Sequence, residues 1–217
     1  MRLGILGTGI VGQTLGTKLV SIGNDVKLGG RSATNEKAAG WVKATGRGAS
    51  QGSFADAAVF GEVLFNCTSG KVSLDALRQA GAKNLDGKVL VDVANPLDFS
   101  KGMPPTLAVC NDDSLGEQIQ REFPKARVVK SLNTMSASVM VDPKMVPGDH
   151  AIFVCGNDAA AKSQVTDILK KLGWQTVIDL GDITGARGTE MILPIWVRLM
   201  GTFKSPLFNF IVSRANT

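Results

Sequence analysis

Residues 3–12 read L-G-I-L-G-T-G-I-V-G, a short apolar run that breaks into G-x-G-x-x-G. An apolar strand, a glycine-rich turn and an immediate helix are the parts of a dinucleotide site. Gly7 permits the tight turn out of the strand, Gly9 lets backbone approach a pyrophosphate, and Gly12 lets the helix pack closely on the sheet. The helix, expected over residues 10–22, aims its free N–H groups and the positive end of its dipole at the phosphates. With 25 glycines in 217 residues the pattern also arises by chance. A structural turn is therefore the competing reading, and the surrounding sequence has to decide.

Outward from that stretch, strand-like and helix-like segments alternate for about 150 residues, the pattern of a parallel sheet with helices on both faces. Strands are expected near 2–6, 25–29, 62–67, 88–93 and 127–132, with a weak one near 48–51. They are apolar and β-branched rather than alternating, as strands buried on both faces should be. Helices are expected near 10–22, 34–45, 71–80 and 114–123. The last opens on S-L-G-E at 114–117, a capping-box pattern, and stops at Pro124. The Gly-Ser-Ala-rich stretch 44–57 reads as a loose surface segment. Beyond Pro147 come a strand (151–155), a helix cap at Asn157-Asp158, and Val165, Ile168, Leu169 and Leu172 at helical spacing. A strand at 174–178 completes one further βαβ unit that extends the same sheet or packs beside it. From Gly185 to Val212 the chain is rich in Met, Trp and Phe. It reads as a long or broken helix bending at Pro194, then a short helix after Pro206. The fold class expected is α/β, a doubly wound Rossmann-type parallel sheet with a C-terminal βαβ extension and terminal helices. Residues 1–147 form the nucleotide domain, and 148–217 form an extension packed on it or continuous with it.

Composition excludes several classes. The formal net charge of +5 carries no Lys/Arg block or aromatic-interleaved basic stripe, so nucleic acid is not an expected partner. No apolar stretch reaches membrane-spanning length, and the first twenty residues lack the continuous apolar region of a signal peptide. Cys67, Cys110 and Cys155 are odd in number and far apart, which reads as reduced thiols in the cytoplasm. With one histidine and no C-x-x-C, no metal site is expected.

The end of the second strand chooses the dinucleotide. An Asp or Glu there would accept from the adenosine ribose 2′-OH and repel a 2′-phosphate. This chain reads G-G-R-S at 29–32 instead. Arg31 offers a planar fork for phosphate oxygens and can stack on adenine, unless it is simply a surface-loop arginine. Ser32 and the start of the next helix add donors, and Lys37 could reach back. The missing acid favours NADP(H). Three further strand ends should line the same crevice: 66–70 (N-C-T-S-G), 93–97 (V-A-N-P-L) and 131–137 (S-L-N-T-M-S-A). They place Thr68, Ser69 and Asn95 at the cofactor, although Thr68 and Ser69 could equally cap the next helix.

The sequence resembles the NADP oxidoreductases that use the deazaflavin coenzyme F420. The same nucleotide domain occurs in metalloreductases, where it is joined to a membrane haem domain that these 217 residues do not include. The resemblance is carried by 1–12 (M-R-L-G-I-L-G-T-G-I-V-G), 29–32, 92–97 (D-V-A-N-P-L), 131–137, C-G-N-D at 155–158 and a helix around 190–200. It implies a pyrophosphate held by Thr8, Gly9, Ile10, Val11 and Gly12. It implies a 2′-phosphate at Gly30 and Arg31, with Lys37 spaced differently from relatives, and a nicotinamide held at Met135 and Ala137. At Gly30 relatives often carry a hydroxyl residue.

The chain has no tyrosine, so a Tyr-Lys acid/base pair is excluded, and His150 follows a Pro-Gly-Asp turn away from these strand ends. Carbonyl reduction needs a proton donor poised near neutral pH. Hydride transfer between nicotinamide and a flavin-like ring needs mainly stacking and exclusion of water. The expected activity is hydride transfer between NADPH and a deazaflavin (coenzyme F420) or flavin acceptor. Two alternatives stand beside it. One is an NADPH-dependent reductase of a small carbonyl or imine, using Lys130, Asn133 or Glu190 as acid/base. The other is a non-catalytic NADP(H)-binding redox sensor. The apolar C-terminal segment points to a homodimer.

Overall fold

The computed structural model describes residues 1–215. Its main sheet contains β1 (Arg2–Leu6), β2 (Asp25–Gly30), β3 (Ala49–Ser53), β4 (Val63–Asn66), β5 (Val89–Asp92), β6 (Arg127–Ser131), β7 (Ala151–Cys155) and β8 (Thr176–Asp179). In space the strands run β8-β7-β6-β5-β4-β1-β2-β3. The helices are α1 (Ile10–Ser21), α2 (Glu36–Thr45), α3 (Phe54–Phe60), α4 (Ser73–Ala80), α5 (Ala82–Leu85), α6 (Leu115–Glu122), α7 (Ala137–Val141), α8 (Ala159–Leu172), α9 (Ala186–Met191) and α10 (Leu193–Phe203).

The inner strands are buried on both faces, which explains their continuous apolar character, while the edge strands β3 and β8 are only half-buried. In β4, Val63 and Phe65 join one hydrophobic cluster and Leu64 the other; Val89, Val91 and Leu90 of β5 divide in the same way. One layer is formed with α1, α2, α7 and α8, the other with α3, α4, α5 and α6. From β1 the chain winds outward to β3, then α3 carries it back across the sheet to β4. The order reverses between β1 and β4, and in doubly wound sheets the carboxyl ends of the strands at such a switch point form the ligand crevice.

The sheet is parallel except at one pairing: β7 runs antiparallel to β6, with β8 parallel to β7. Antiparallel neighbours connect at one end of a sheet, so residues 132–150 stay at the end where the crevice lies. The chain tail returns to that end as well, where the Ala151 N–H donates to the Phe210 carbonyl and Asn209 Nδ2 donates to the Ala151 carbonyl.

Three expectations are corrected. Residues 44–57 are not loose: they form β3 and the start of α3, with Ala57 and Ala58 fully buried. Small residues here serve contact. A Cβ on Gly4 would lie 2.3 Å from the Ala57 carbonyl oxygen, and one on Gly29 would lie 2.7 Å from Ala57 Cβ. The helix expected after Pro206 does not form. Lys204 turns left-handed at φ 51, which ends α10, and the following residues reach back to β7. The capping box at 114–117 is half formed: Ser114 Oγ accepts from the Glu117 N–H at 3.1 Å, while the Glu117 carboxylate turns to Arg187. The long C-terminal helix is broken at Ile192, just before Pro194, as its sequence suggests.

Candidate functional site

The glycine-rich turn has the backbone its sequence implies. Gly7 has φ 126, a left-handed value that disfavours side chains, and a Cβ there would lie 2.5 Å from the Cys67 carbonyl oxygen. The turn out of β1 is thus wedged against the loop after β4. Gly12 packs on that turn, its Cβ position 2.3 Å from the Gly7 carbonyl oxygen. Gly9 differs: nothing lies within 4 Å of its Cβ position. Gly9 is also the N-cap of α1 and supplies no side-chain cap, and the first turn has no acid. By contrast Asn35, Ser53, Ser114 and Asp158 cap α2, α3, α6 and α8 with their side chains. An open cradle beside an uncapped helix start suits an anion, and a pyrophosphate fits the donors present. Thr8 is half-buried, Ile10 is exposed, and Val11 is half-buried against the core.

At the end of β2 the Gly7 N–H donates to the Gly29 carbonyl at 2.9 Å, which joins the two strand ends. Gly30 lies against Thr8, whose Cγ2 is 3.2 Å from the Gly30 Cβ position. Arg31 is exposed and lines a cleft of about 210 Å³ with Phe54, Val72, Asp75, Ala76 and Gln79. Ser32 Oγ accepts from the Thr34 N–H at 3.2 Å, and the α2 cap is taken by Asn35. Lys37 lines a different depression, the groove between α1 and α2 with Gln13, Thr17, Lys18 and Trp41. Arg31, Ser32 and Thr8 are gathered around Gly30, whereas Lys37 faces another surface.

The other strand ends meet in a polar weave. Thr68 Oγ1 donates to Asn66 Oδ1 at 2.7 Å and lies 2.8 Å from Ser73 Oγ, while Ser69 is exposed. The 3₁₀ turn at Gly70–Val72 and α4 follow without a side-chain cap from Ser69. Asn95 Nδ2 donates to the Asn133 carbonyl at 2.8 Å, and Asn133 Nδ2 donates to Asn95 Oδ1 at 2.9 Å. Leu132, buried, holds φ 65, strained for a branched residue, and turns the chain out of β6 toward that pair. Met135 is buried and Ala137 half-buried at the start of α7.

The three residues considered as acid/base do not present themselves to the crevice. Lys130 Nζ is completely buried and contacts Asp92 Oδ2 at 2.8 Å, the Ala94 carbonyl at 2.5 Å and Glu190 Oε1 at 2.8 Å. All three ammonium protons are spent. Burial alone would push this ammonium down, but the Asp92 and Glu190 carboxylates outweigh it and hold its pKa above the ordinary lysine value. Glu190 also accepts the N–H groups of Leu115 and Gly116 at 2.8 and 3.1 Å, so it closes the start of α6. Asn133 is tied to Asn95 and the Thr189 carbonyl. His150 sits elsewhere, edge-on to Trp174, with Nε2 against the Pro143 carbonyl and Nδ1 accepting from Asn209. Burial pushes the Cys67 thiol far up, the Asp92 carboxylate adding to it, and pushes Cys155 to about 12. Neither is a nucleophile near neutral pH. Among the described residues no cluster of His, Cys, Asp and Glu could hold a metal ion, and no helix is long and apolar enough to cross a membrane.

A Rossmann-type sheet, an uncapped glycine turn and an arginine in place of the ribose-binding acid define a class, the NADP-dependent oxidoreductases. Comparison with known proteins narrows it. The family model for NADP oxidoreductase coenzyme F420-dependent matches residues 2–96. The F420-dependent NADP reductase of Methanocaldococcus jannaschii is 31% identical over 151 residues, 69% of this chain and 67% of that protein. A crystal structure from Arthrobacter sp. FB24, provisionally named an F420-dependent NADP reductase, is 53% identical with a TM-score of 0.95. It covers 99% of this chain and 100% of that one. Metalloreductase STEAP3 of Rattus norvegicus is 31% identical over 203 residues, 90% of this chain, and the chain spans only 38% of that protein's length. The chain belongs to the coenzyme F420-dependent NADP oxidoreductase family and is an NADP-dependent oxidoreductase.

Proposed function

We propose that the chain passes hydride between NADPH and a flat ring acceptor, a deazaflavin of the F420 type or a flavin. When bound, NADPH supplies the hydride. Thr8, Gly9, Ile10, Val11 and Gly12 hold the pyrophosphate with backbone N–H groups and the α1 dipole. Gly30, Arg31 and Ser32 take the 2′-phosphate, Lys37 has no part in it, and the Arg31–Phe54 cleft takes the adenine. Thr68, Ser69, Asn95, Met135 and Ala137 line the nicotinamide end, where they orient the ring and exclude water. In this reading residues 1–147 carry the cofactor, and residues 148–217 wall its far end.

The observation that carries the choice of acceptor is the burial of Lys130 and Glu190 in a closed ion network, with Asn133 tied beside it. A carbonyl or imine reductase must deliver a proton in step with the hydride. Ring-to-ring transfer asks the protein chiefly for geometry. The test is NADPH oxidation, followed by loss of the reduced-nicotinamide absorbance, with coenzyme F420, FMN and a panel of small carbonyls and imines. Turnover is expected with F420 or FMN. Turnover confined to carbonyls or imines would overturn the reading.

The same proposal includes a homodimer in the cytoplasm. Ile195 and Phe203 on α10, and Leu207, Ile211 and Val212 after it, are 44–63% exposed, an apolar face suited to a second copy. The three cysteines are free, as in a reducing compartment. Light scattering on the purified chain reads the oligomeric state directly.

A further inference from the structure

The buried ion network leads somewhere. Lys130 spends its protons on Asp92, Ala94 and Glu190, which leaves Asp92 Oδ1 free to accept from Asn66 Nδ2 at 2.8 Å. The second Asn66 amide proton goes to Ser73 Oγ at 3.1 Å. Both donors of that amide are then used, and its oxygen must face the loop after β4. There it accepts from Thr68 Oγ1 at 2.7 Å and from the Thr68 N–H at 3.3 Å. The charge on Asp92 therefore sets the direction of each bond outward. Thr68 Oγ1, its own proton committed to Asn66 and one lone pair taken by the Ser73 hydroxyl 2.8 Å away, has its second lone pair left to offer the crevice and no donor.

The far end of the network belongs to the C-terminal segment. Glu190 lies on α9, and the preceding residue, Thr189, gives its carbonyl to Asn133 Nδ2 at 2.9 Å. Two carboxylates flank one ammonium, an arrangement costly in desolvation unless every oxygen is matched. The match for Glu190 is the start of α6, through the N–H groups of Leu115 and Gly116. A neutral core of the same volume would hold the fold at least as well. What the ionic version adds is polarity and fixed angles at the strand ends.

We propose that Lys130 and Glu190 are positioning residues for the nicotinamide half of the cofactor. Through Asp92 and Asn66 they present Thr68 Oγ1 as a hydrogen-bond acceptor for a ribose hydroxyl or a carboxamide N–H. The proposal rests on the NADP(H) site proposed above. The adenine half, held around Arg31, lies outside this network.

The test is calorimetric titration of the full chain with NADPH and with adenosine 2′,5′-bisphosphate, which keeps the adenine and the 2′-phosphate but lacks the nicotinamide riboside. Glu190→Gln preserves shape, and Thr68→Val removes the acceptor. Each should weaken NADPH about five- to tenfold and leave the bisphosphate unchanged, and Thr68→Ser should restore NADPH binding. The double variant should be no weaker than the weaker-binding single variant, because both act on one contact. If Glu190→Gln does not fold, Asn66→Leu, which removes the amide linking Asp92 to Thr68, carries the same expectation. Equal weakening of both ligands, unchanged NADPH affinity, or additive losses would overturn the proposal. Wild-type protein that binds neither ligand would instead overturn the NADP(H) site itself.

Discussion

The end of the crevice proposed for the phosphates and the end proposed for the nicotinamide are built in opposite ways. At the first, Gly9 is exposed with open space at its Cβ position, α1 is uncapped, and Arg31 stands in solvent. At the second, Asp92, Lys130, Asn133 and Glu190 are each at most 2% exposed and bonded to one another or to neighbouring strand ends. The open end is made by residues close together in sequence, and its polar groups wait for a ligand. The closed end is made by residues up to 98 positions apart, and its polar groups are already satisfied before any ligand arrives. Recognition of charge can be left to exposed donors, because a phosphate brings its own strong partner. Placement of a ring for hydride transfer needs rigidity that only packed interior groups supply.

The largest expected effect breaks the closed end. Lys130→Met strands two buried carboxylates without their cation and should cost about 3–5 kcal/mol in denaturant unfolding. A loss below about 1 kcal/mol would mean that the network is not closed in solution. The next comparison is within the open end. Gly7→Ala forces a side chain into φ 126 and against the Cys67 carbonyl. It should cost about 1–3 kcal/mol of stability. Gly9→Ala meets nothing in the protein, so its stability should stay within about 0.5 kcal/mol. Its NADPH affinity should nonetheless fall at least about tenfold, because the methyl enters the space proposed for the pyrophosphate. A Gly9→Ala protein with full NADPH affinity would remove the pyrophosphate from that cradle.

The smallest effect concerns pH. Arg187 bonds Glu117 between α9 and α6, with Nε to Oε2 at 2.9 Å. That guanidinium holds the Glu117 carboxyl below the ordinary glutamate range, the Ser114 hydroxyl contributing and burial opposing. A depressed folded pKa gives stability that is present above the unfolded value and lost as pH falls through the folded one. The melting temperature should therefore drop on acidification below the ordinary glutamate range, and Arg187→Gln should flatten that drop. An Arg187→Gln variant with an unchanged acid slope would assign it to other carboxylates.

The two ends also differ in how far they can be read from sequence. G-T-G-I-V-G and G-G-R-S are contiguous, and their backbone demands are local, so the turn, the helix start and the missing acid were all legible. The doubly wound sheet followed from the alternation of elements. The closed end was not legible. Lys130 and Glu190 carry the side chains of general acids and bases, and nothing adjacent to either announces that the other will neutralise it. Residues 44–57 misled for a related reason. Their Gly, Ser and Ala look like loop composition, yet Ala57 is small because Gly4 and Gly29 must come within contact of it. The tail after Pro206 looked helical from its apolar content, while its course is decided by Asn209 and Phe210 pairing with Ala151.

Arg31, at the open end, is proposed to select the phosphorylated dinucleotide. Titration of wild type and Arg31→Glu with NADPH and with NADH decides whether it does. Wild type should prefer NADPH by about tenfold or more, and the variant should lose that preference while its NADH affinity holds or rises. Equal losses for the two cofactors, or a preference that survives the substitution, would contradict it.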